Sequence, residues 1–510
     1  MSSHFDDEVG ASMASDQLAD YLAQWHDQRE LLRVSAEVDP AYEIAAITDR
    51  VRRTHPESPA LLFDNVRGHS FPVVTNLLGS PRRISSAFNV ASFELLSKRI
   101  EDWLATALPS GIMNTWRLLP RLAELSQWPP AVVKSGLCQQ VVKLGRDVNL
   151  AELPILTMWP KDLVPVITSG QIHTRAPKTE AAGSDGDGAP YRHMSVVPLE
   201  VRGRDSLLIH TDEQSEIWSL LSEYRMRGQQ MPVAIVLGGD LLTQIAAWAP
   251  LPARTDRLIF AGFLRNKPVD LVPARSVPLE VPASSEIVIE GFVNPEEEWQ
   301  QCSPISRDTG FYVGGQPLPM IHVTAITHRA NPVFPAMVPG VAPAESHWLD
   351  RACERLLLPI AKMWIPELVD WRFPFSGSCR HFVFASIHKT YSQQARKVMH
   401  ALWSLPRIAT AKMLVLVDDD INIQDETAVL SRIAAHTDPA RDLVLWDGPA
   451  DPLDHAPATR GTGRKIGIDA TTKGVNEREI VKLVQPLGVS PEVEEILNLR
   501  WKEYGLDFVS

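Results

Sequence analysis

Between residues 131 and 330 the chain breaks into short apolar runs: "VPVITSGQIHTR", "YRHMSVVPLEV", "SLLIHT", "PVAIVLGG" and "EIVIEGFV". Glycine, proline or polar turn residues close each run. Runs this short and closely spaced predict an antiparallel sheet or barrel rather than helical layers. One helical pattern, "DLLTQIAAWAP", interrupts them. The flanking segments read differently. Ahead of the β-rich stretch, "SDQLADYLAQWHDQREL" has helical apolar spacing behind an N-cap at Ser15 or Asp16, and "DPAYEIAAITDRVRRTH" reads as a second helix. "PALLFDNVRGHSFPVVTNLLGSPRR" places two strand-like runs around Arg67-Gly68-His69. Beyond the β-rich stretch, strand and helix alternate in "HFVFASIH", "SQQARKVMHALWSL", "KMLVLVDDD", "DETAVLSRIAAH" and "DLVLWDG", the pattern of βαβ units.

The expected organisation follows from these changes of pattern. It is a tail over 1–15, an α+β domain over 16–130, a β domain over 131–335, an α/β domain over 336–480 and a C-terminal amphipathic helix within 481–510. The proline-rich "ANPVFPAMVPGVAPAESHW" reads as a linker. "TRGTGRKIGIDATTK" lacks the order of a phosphate-binding loop and reads as a flexible connector.

Composition excludes several classes. A net charge of −12 argues against a general binder of nucleic acid or anionic membrane, which needs clustered cations. Four cysteines in 510 residues, none in a CxxC pair, fit reduced thiols rather than a disulfide framework or a zinc site. No stretch approaches a membrane span and the acidic N-terminus is not a signal peptide, so the expected location is the cytoplasm.

The residues that carry chemistry are less clear at this level. His173, His193, His210 and His328 each sit in a strand-like run, where a histidine is more often a hydrogen-bonded sheet residue than a ligand. Asp418-Asp419-Asp420 follows an apolar strand and reads as a cap for the next helix. The polar stretch "EAAGSDGDGAPYR" reads as a surface loop, although an arginine entering a strand there, Arg192, is of the type that clamps a carboxylate or phosphate. "EEEWQQCSPISRDTGFY" sets Cys302 beside a proline turn.

Taken in order, "PALLFDNVRG", "NLLGSPRRI", "HTRAP", "YR", "MPVAIVLGGD", "AGFLR", "VPASSEIVIEGFV", "ITHR", "KMLVLVDDDIN", "DPARDLVLWDGPADPLDHA" and "KIGIDATTK" resemble the UbiD-type decarboxylases over nearly the whole chain from residue 55. The resemblance implies an N-terminal α+β domain, a central split β-barrel of flavin-reductase type and a C-terminal α/β domain that mediates oligomers. It implies a carboxy-lyase using prenylated flavin mononucleotide (FMN), with Mn²⁺ or Mg²⁺ and K⁺ at the cofactor phosphate. The substrate would be an aromatic or α,β-unsaturated acid. Expected partners are further copies, from dimer to hexamer, with a paralogous subunit and a flavin prenyltransferase as candidates.

Carried over residue by residue, the resemblance assigns cofactor binding to Thr174, Asp187, Ala189, Pro190, Tyr191, Arg192, Gln214 and His388. Asp187 and Glu216 are the candidate metal ligands; Arg257 stands where a metal-binding glutamate falls. His210 lies too early for the family's metal-binding histidine. The family motif E-G-P-[FY]-G-[DE]-x-x-G-[YF] aligns with "CSPISRDTGF". Cys302 thus replaces the proton-donating glutamate and Arg307 the second carboxylate, with Asp308 adjacent. The catalytic set implied is Arg192, Cys302 and Asp308. Two main readings follow. One is a carboxy-lyase with non-standard catalytic residues; the other is a catalytically silent homologue serving as a structural or regulatory subunit. A third, with Cys302 as nucleophile, needs a paired base.

Overall fold

A computed structural model describes residues 17–55, 58–107, 125, 127–177, 191–377, 380–473 and 488–505. The architecture is α+β in three parts. The first is a four-stranded sheet in the order Leu31–Val38, Ala60–Val66, Val73–Thr75, Phe334–Ala336. The first two strands are parallel and connected through the helix Glu43–Thr54, a βαβ unit. The strand Leu31–Val38 corrects the sequence reading, which carried the first helix into it. That helix ends at Asp27, where Trp25 and Tyr21 are already buried and the chain turns through Arg29 at φ 60°.

The second part is a nine-stranded antiparallel sheet. Its order is Val166–Ile167, Leu199–Val201, Ser206–Ile209, Met320–His328, Ile287–Val293, Met231–Leu237, Gln171–Arg175, Arg192–Val196; Val141–Leu144 pairs the far end of Met320–His328. Alternation of side chains puts Ile172, Ile235, Ile289 and Leu207 into one buried cluster. Three helices, Glu216–Met226, Leu241–Trp248 and Arg257–Arg265, interrupt the sheet where sequence reading expected one. Asp240 and Asp256 cap the second and third by accepting from the amides of Leu242 and Leu258.

The third part is a five-stranded sheet in the order Leu368–Arg372, Phe382–Ile387, Met413–Asp418, Thr462–Asp469, Leu443–Pro449. Its three inner strands are parallel. Two expectations fail here. The supposed connector holds the strand Thr462–Asp469, because Lys465 is buried against Trp403 and Trp446 and donates to the Ala409 carbonyl. The supposed linker holds Phe334–Ala336, whose buried side chains complete the first sheet. The run Asp418-Asp419-Asp420 does not cap the next helix as read: Asp425 caps it, while Asp418 accepts from the Thr472 amide and pairs with Arg432. The helix Pro491–Arg500 forms as expected, with no buried residue. Among the described residues no helix is long and apolar enough to cross a membrane.

The long helix Glu345–Trp364 is tied back to the first part through buried charge. Glu345 accepts from the Leu78 amide at 2.9 Å and lies near Arg83, itself paired with Glu30 at 2.9 Å. Burial outweighs these contacts and raises Glu345 from its ordinary 4.5 to about 7. Between those values the unfolded glutamate is ionised while the folded one keeps its proton. Its contribution to stability therefore falls as pH rises through that window and stays flat above it. Glu345→Gln keeps the acceptor and removes the titration. We expect its thermal midpoint to match wild type near pH 5 and to exceed it at pH 8; an equal or lower midpoint at pH 8 would contradict the assignment.

Candidate active site

A cleft of about 380 Å³ opens between the central sheet, the three helices that interrupt it and the third part of the fold. Val196, Val197, Trp248, Met337 and Pro339 give it apolar walls. A polar recess of about 310 Å³ shares His210, Asp212 and Arg307 with it and reaches Asp451 and Arg460. The combination of apolar wall and few convergent polar groups is that of a small-molecule site.

One group of polar residues gathers on Glu216, the first residue of the helix Glu216–Met226. Its carboxylate lies 3.0 Å from His193 Nδ1 and 3.2 Å from an Arg257 nitrogen, and accepts from the Arg254 amide at 2.7 Å. Burial alone would raise its pKa; His193, that amide and Arg257 outweigh burial and hold it at about 2. Glu216 is therefore ionised throughout the physiological range. His193 Nε2 lies 3.0 Å from Ser195 Oγ, so a hydroxyl, an imidazole and a carboxylate follow one another along the cleft wall. The His193–Glu216 approach is close but off the ideal hydrogen-bond line.

A second group lies on the turn after the proline of "CSPISRDTGF". Ser306 is anchored to Asp162 through its amide at 2.7 Å and its hydroxyl at 2.9 Å. Gly310 adopts φ +81°, and a Cβ there would meet Val341 Cγ2 at 2.6 Å, so the turn requires glycine. This turn presents Arg307 and Asp308 to the cleft. Arg307 is surrounded by protein yet reachable from the cleft, and among the described residues it makes no ion pair. Arg380 and Arg407 line the same face and share Asp350, at 3.2 and 3.3 Å. Asp212 lines both the cleft and the recess; burial raises its pKa, with Asp451 adding to the effect and the Gln214 amide opposing it.

Several sequence-assigned residues lie elsewhere. Asp187, Ala189 and Pro190 are outside the described residues. Arg192 is not on the cleft: it pairs with Asp256 at 3.3 Å and Glu280 at 3.7 Å, beside Thr174 in a small separate recess. Strand alternation explains this, since His193 and Arg192 are neighbours on one strand and His193 takes the Glu216 side. Thr174 donates to the Pro232 carbonyl at 2.7 Å. Tyr191 stacks against Arg254 with its hydroxyl near Glu216. Gln214 bridges to the carbonyls of Ala450 and Gly461, both at 3.1 Å. His388 is exposed and pairs with Asp419 at 2.7 Å, away from the cleft.

Cys302 also misses the cleft lining. It is 6% exposed and packs with Leu208 and Leu318, within 4.8 Å of His210 and Glu200. His210 does line the cleft, so the thiol lies one layer behind it. His193, His210, Ser195 and Asp212 are the cleft residues that sequence reasoning did not assign. A histidine and a serine two residues apart on a strand share a face, which was the available clue.

The comparisons with known proteins agree with this fold. Residues 22–103, 131–342 and 347–470 match the N-terminal, Rift-related and C-terminal domains of 3-octaprenyl-4-hydroxybenzoate carboxy-lyase. The chain belongs to the UbiD family. An uncharacterized protein from Aquifex aeolicus is 36% identical over 494 residues, covering 96% of this chain and 99% of that one. Among solved structures, the UbiD-class enzyme HmfF from Pelotomaculum thermopropionicum in complex with FMN is similar at 26% identity and TM-score 0.75, over 95% and 99% of the two chains. The vanillic acid decarboxylase of Sedimentibacter hydroxybenzoicus shares the fold at TM-score 0.81 and 24% identity, over 96% and 99%.

The divalent cation that UbiD membership implies does not fit the residues described. The guanidinium of Arg257 already occupies Glu216, and a dication 4 Å from it would meet roughly 8 kcal/mol of repulsion at an effective dielectric constant of about 20. The cluster Glu200, His210, Cys302 has metal-type donors. Its carboxylate, however, is already engaged by His210 at 2.9 Å, Arg202 at 3.0 Å and the Ser303 amide at 3.1 Å.

The burial of Cys302 has a direct chemical readout. Iodoacetamide labelling of Cys302, followed by peptide mass spectrometry, should be roughly tenfold or more slower in native than in unfolded protein. Labelling at comparable rates would return the thiol to an open cleft.

Proposed function

We propose that this UbiD-family chain is a flavin-dependent carboxy-lyase acting on an aromatic or α,β-unsaturated carboxylic acid. The observation that carries the proposal is Arg307, a guanidinium facing the cleft beside apolar walls with no ion pair of its own among the described residues. A planar acid satisfies both features: its ring or alkene packs on Val196, Trp248 and Met337 while its carboxylate meets Arg307. The solved UbiD-class relatives in complex with FMN and prenylated FMN support a flavin in the same family fold. The apolar walls and the buried guanidinium of Arg257 suit a flat anionic cofactor. When bound, prenylated FMN supplies the sink for the electron pair left by departing carbon dioxide.

The chain's own residues must then supply one proton. Glu216, held at about 2, cannot donate it near neutral pH. Asp212 is the better candidate: burial raises its pKa, and it lines the cleft together with Arg307. We assign Arg307 to carboxylate binding and Asp212 to proton delivery, in place of Arg192 and Cys302. Asp308, also on the cleft, is the next candidate donor. Because Asp212 works in its protonated form, the rate should fall as pH rises through its raised pKa.

The loss of both family carboxylates at 302 and 307 favours a second reading, a silent subunit beside a paralogue. One experiment separates the two. Protein purified from a host that makes prenylated FMN is assayed for carbon dioxide release from cinnamic-type and hydroxybenzoic-type acids. We expect turnover, reduced roughly 30-fold or more by Arg307→Ala and about 10²-fold by Asp212→Asn, with Cys302→Ala near wild type. If Cys302→Ala loses activity and Asp212→Asn does not, the thiol is the donor. Flavin-free protein with no turnover would establish the silent reading.

A further inference from the structure

We infer that Arg257 takes the place of a divalent cation, so that this cleft binds the phosphate monoester of a flavin without metal. The inference rests on the flavin reading above. Arg257 opens the nine-residue helix Arg257–Arg265, directly after the cap Asp256. Its side chain is 9% exposed and lines the cleft. Glu216 engages one terminal nitrogen at 3.2 Å. The Nε–H is buried and has no hydrogen-bond partner among the described residues. A buried guanidinium N–H left unmade is costly, and a ligand oxygen arriving from the cleft removes that cost.

The surrounding charges make this position fixed rather than adaptable. Glu216 is held by His193 and by the Arg254 amide as well as by Arg257, so the guanidinium cannot swing away without stranding an ionised carboxylate. Asp256, the helix cap, is offset by Arg192 at 3.3 Å, which keeps its charge from opposing an incoming anion. A metal ion delivers concentrated charge but needs oxygen or nitrogen ligands free to bind it. Arg257 delivers a permanent charge and planar donors, and uses Glu216 as its anchor. The same carboxylate cannot serve both cations.

Flavin binding to the purified apoprotein tests this without reference to turnover. FMN and riboflavin are titrated by fluorescence in EDTA and again with Mn²⁺. FMN should bind more tightly than riboflavin by roughly tenfold or more, and EDTA should leave that advantage intact. Arg257→Gln should abolish the advantage while leaving riboflavin affinity unchanged; Arg257→Lys should recover part of it. Inorganic phosphate should compete with FMN and not with riboflavin. Circular dichroism and the riboflavin titration show that the variants are folded. If FMN binds only with Mn²⁺, or equally well to Arg257→Gln, this inference falls and the flavin reading stands. If neither flavin binds under any condition, both fall.

Discussion

An ionised carboxylate held inside the wall of a cleft governs the site. Glu216 is fixed by an imidazole, a backbone amide and a guanidinium, and each of those partners is fixed in turn by Glu216. His193 is thereby aimed at Ser195, and Arg257 is kept at the start of its helix with one N–H unsatisfied. The site's electrostatics follow from this pairing. Among the described residues Arg307 also faces the cleft without an ion pair, beside the arginine pair on Asp350.

This distribution differs from one built around a metal. The proposed motif alignment sets Cys302 and Arg307 at two carboxylate positions and Arg257 at a third. The changes act in one direction: each removes negative charge or adds positive charge next to the cleft. A set of substitutions that all favour anions is chemically coherent. Burial and Asp451 raise the pKa of Asp212 in this cationic setting.

Much of the fold was legible because it rests on periodicity. The β-rich centre, the βαβ alternation beyond it and the ordered family motifs all survive in the structure. The misreadings share a cause. "TRGTGRKIGIDATTK" and "ANPVFPAMVPGVAPAESHW" look like connectors by composition, yet Lys465 is satisfied by two tryptophans far along the chain and Phe334 by a sheet begun at residue 31. Propensity cannot see such long-range partners. The site failed to read for a related reason. Arg192 was assigned by motif order, but one step along a strand decides which face of the sheet a side chain takes. Cys302 was similarly placed by motif, while Leu208 and Leu318 draw it behind the wall.

The substitution of a side-chain cation for a metal is the claim on which the rest turns. Elemental analysis of protein purified from a host that makes prenylated FMN, without chelators, tests it most directly when flavin is quantified in the same sample. We expect flavin approaching one per chain with manganese and magnesium far below that ratio. Flavin and manganese rising together to one per chain would contradict it, and would require Arg257 to leave Glu216.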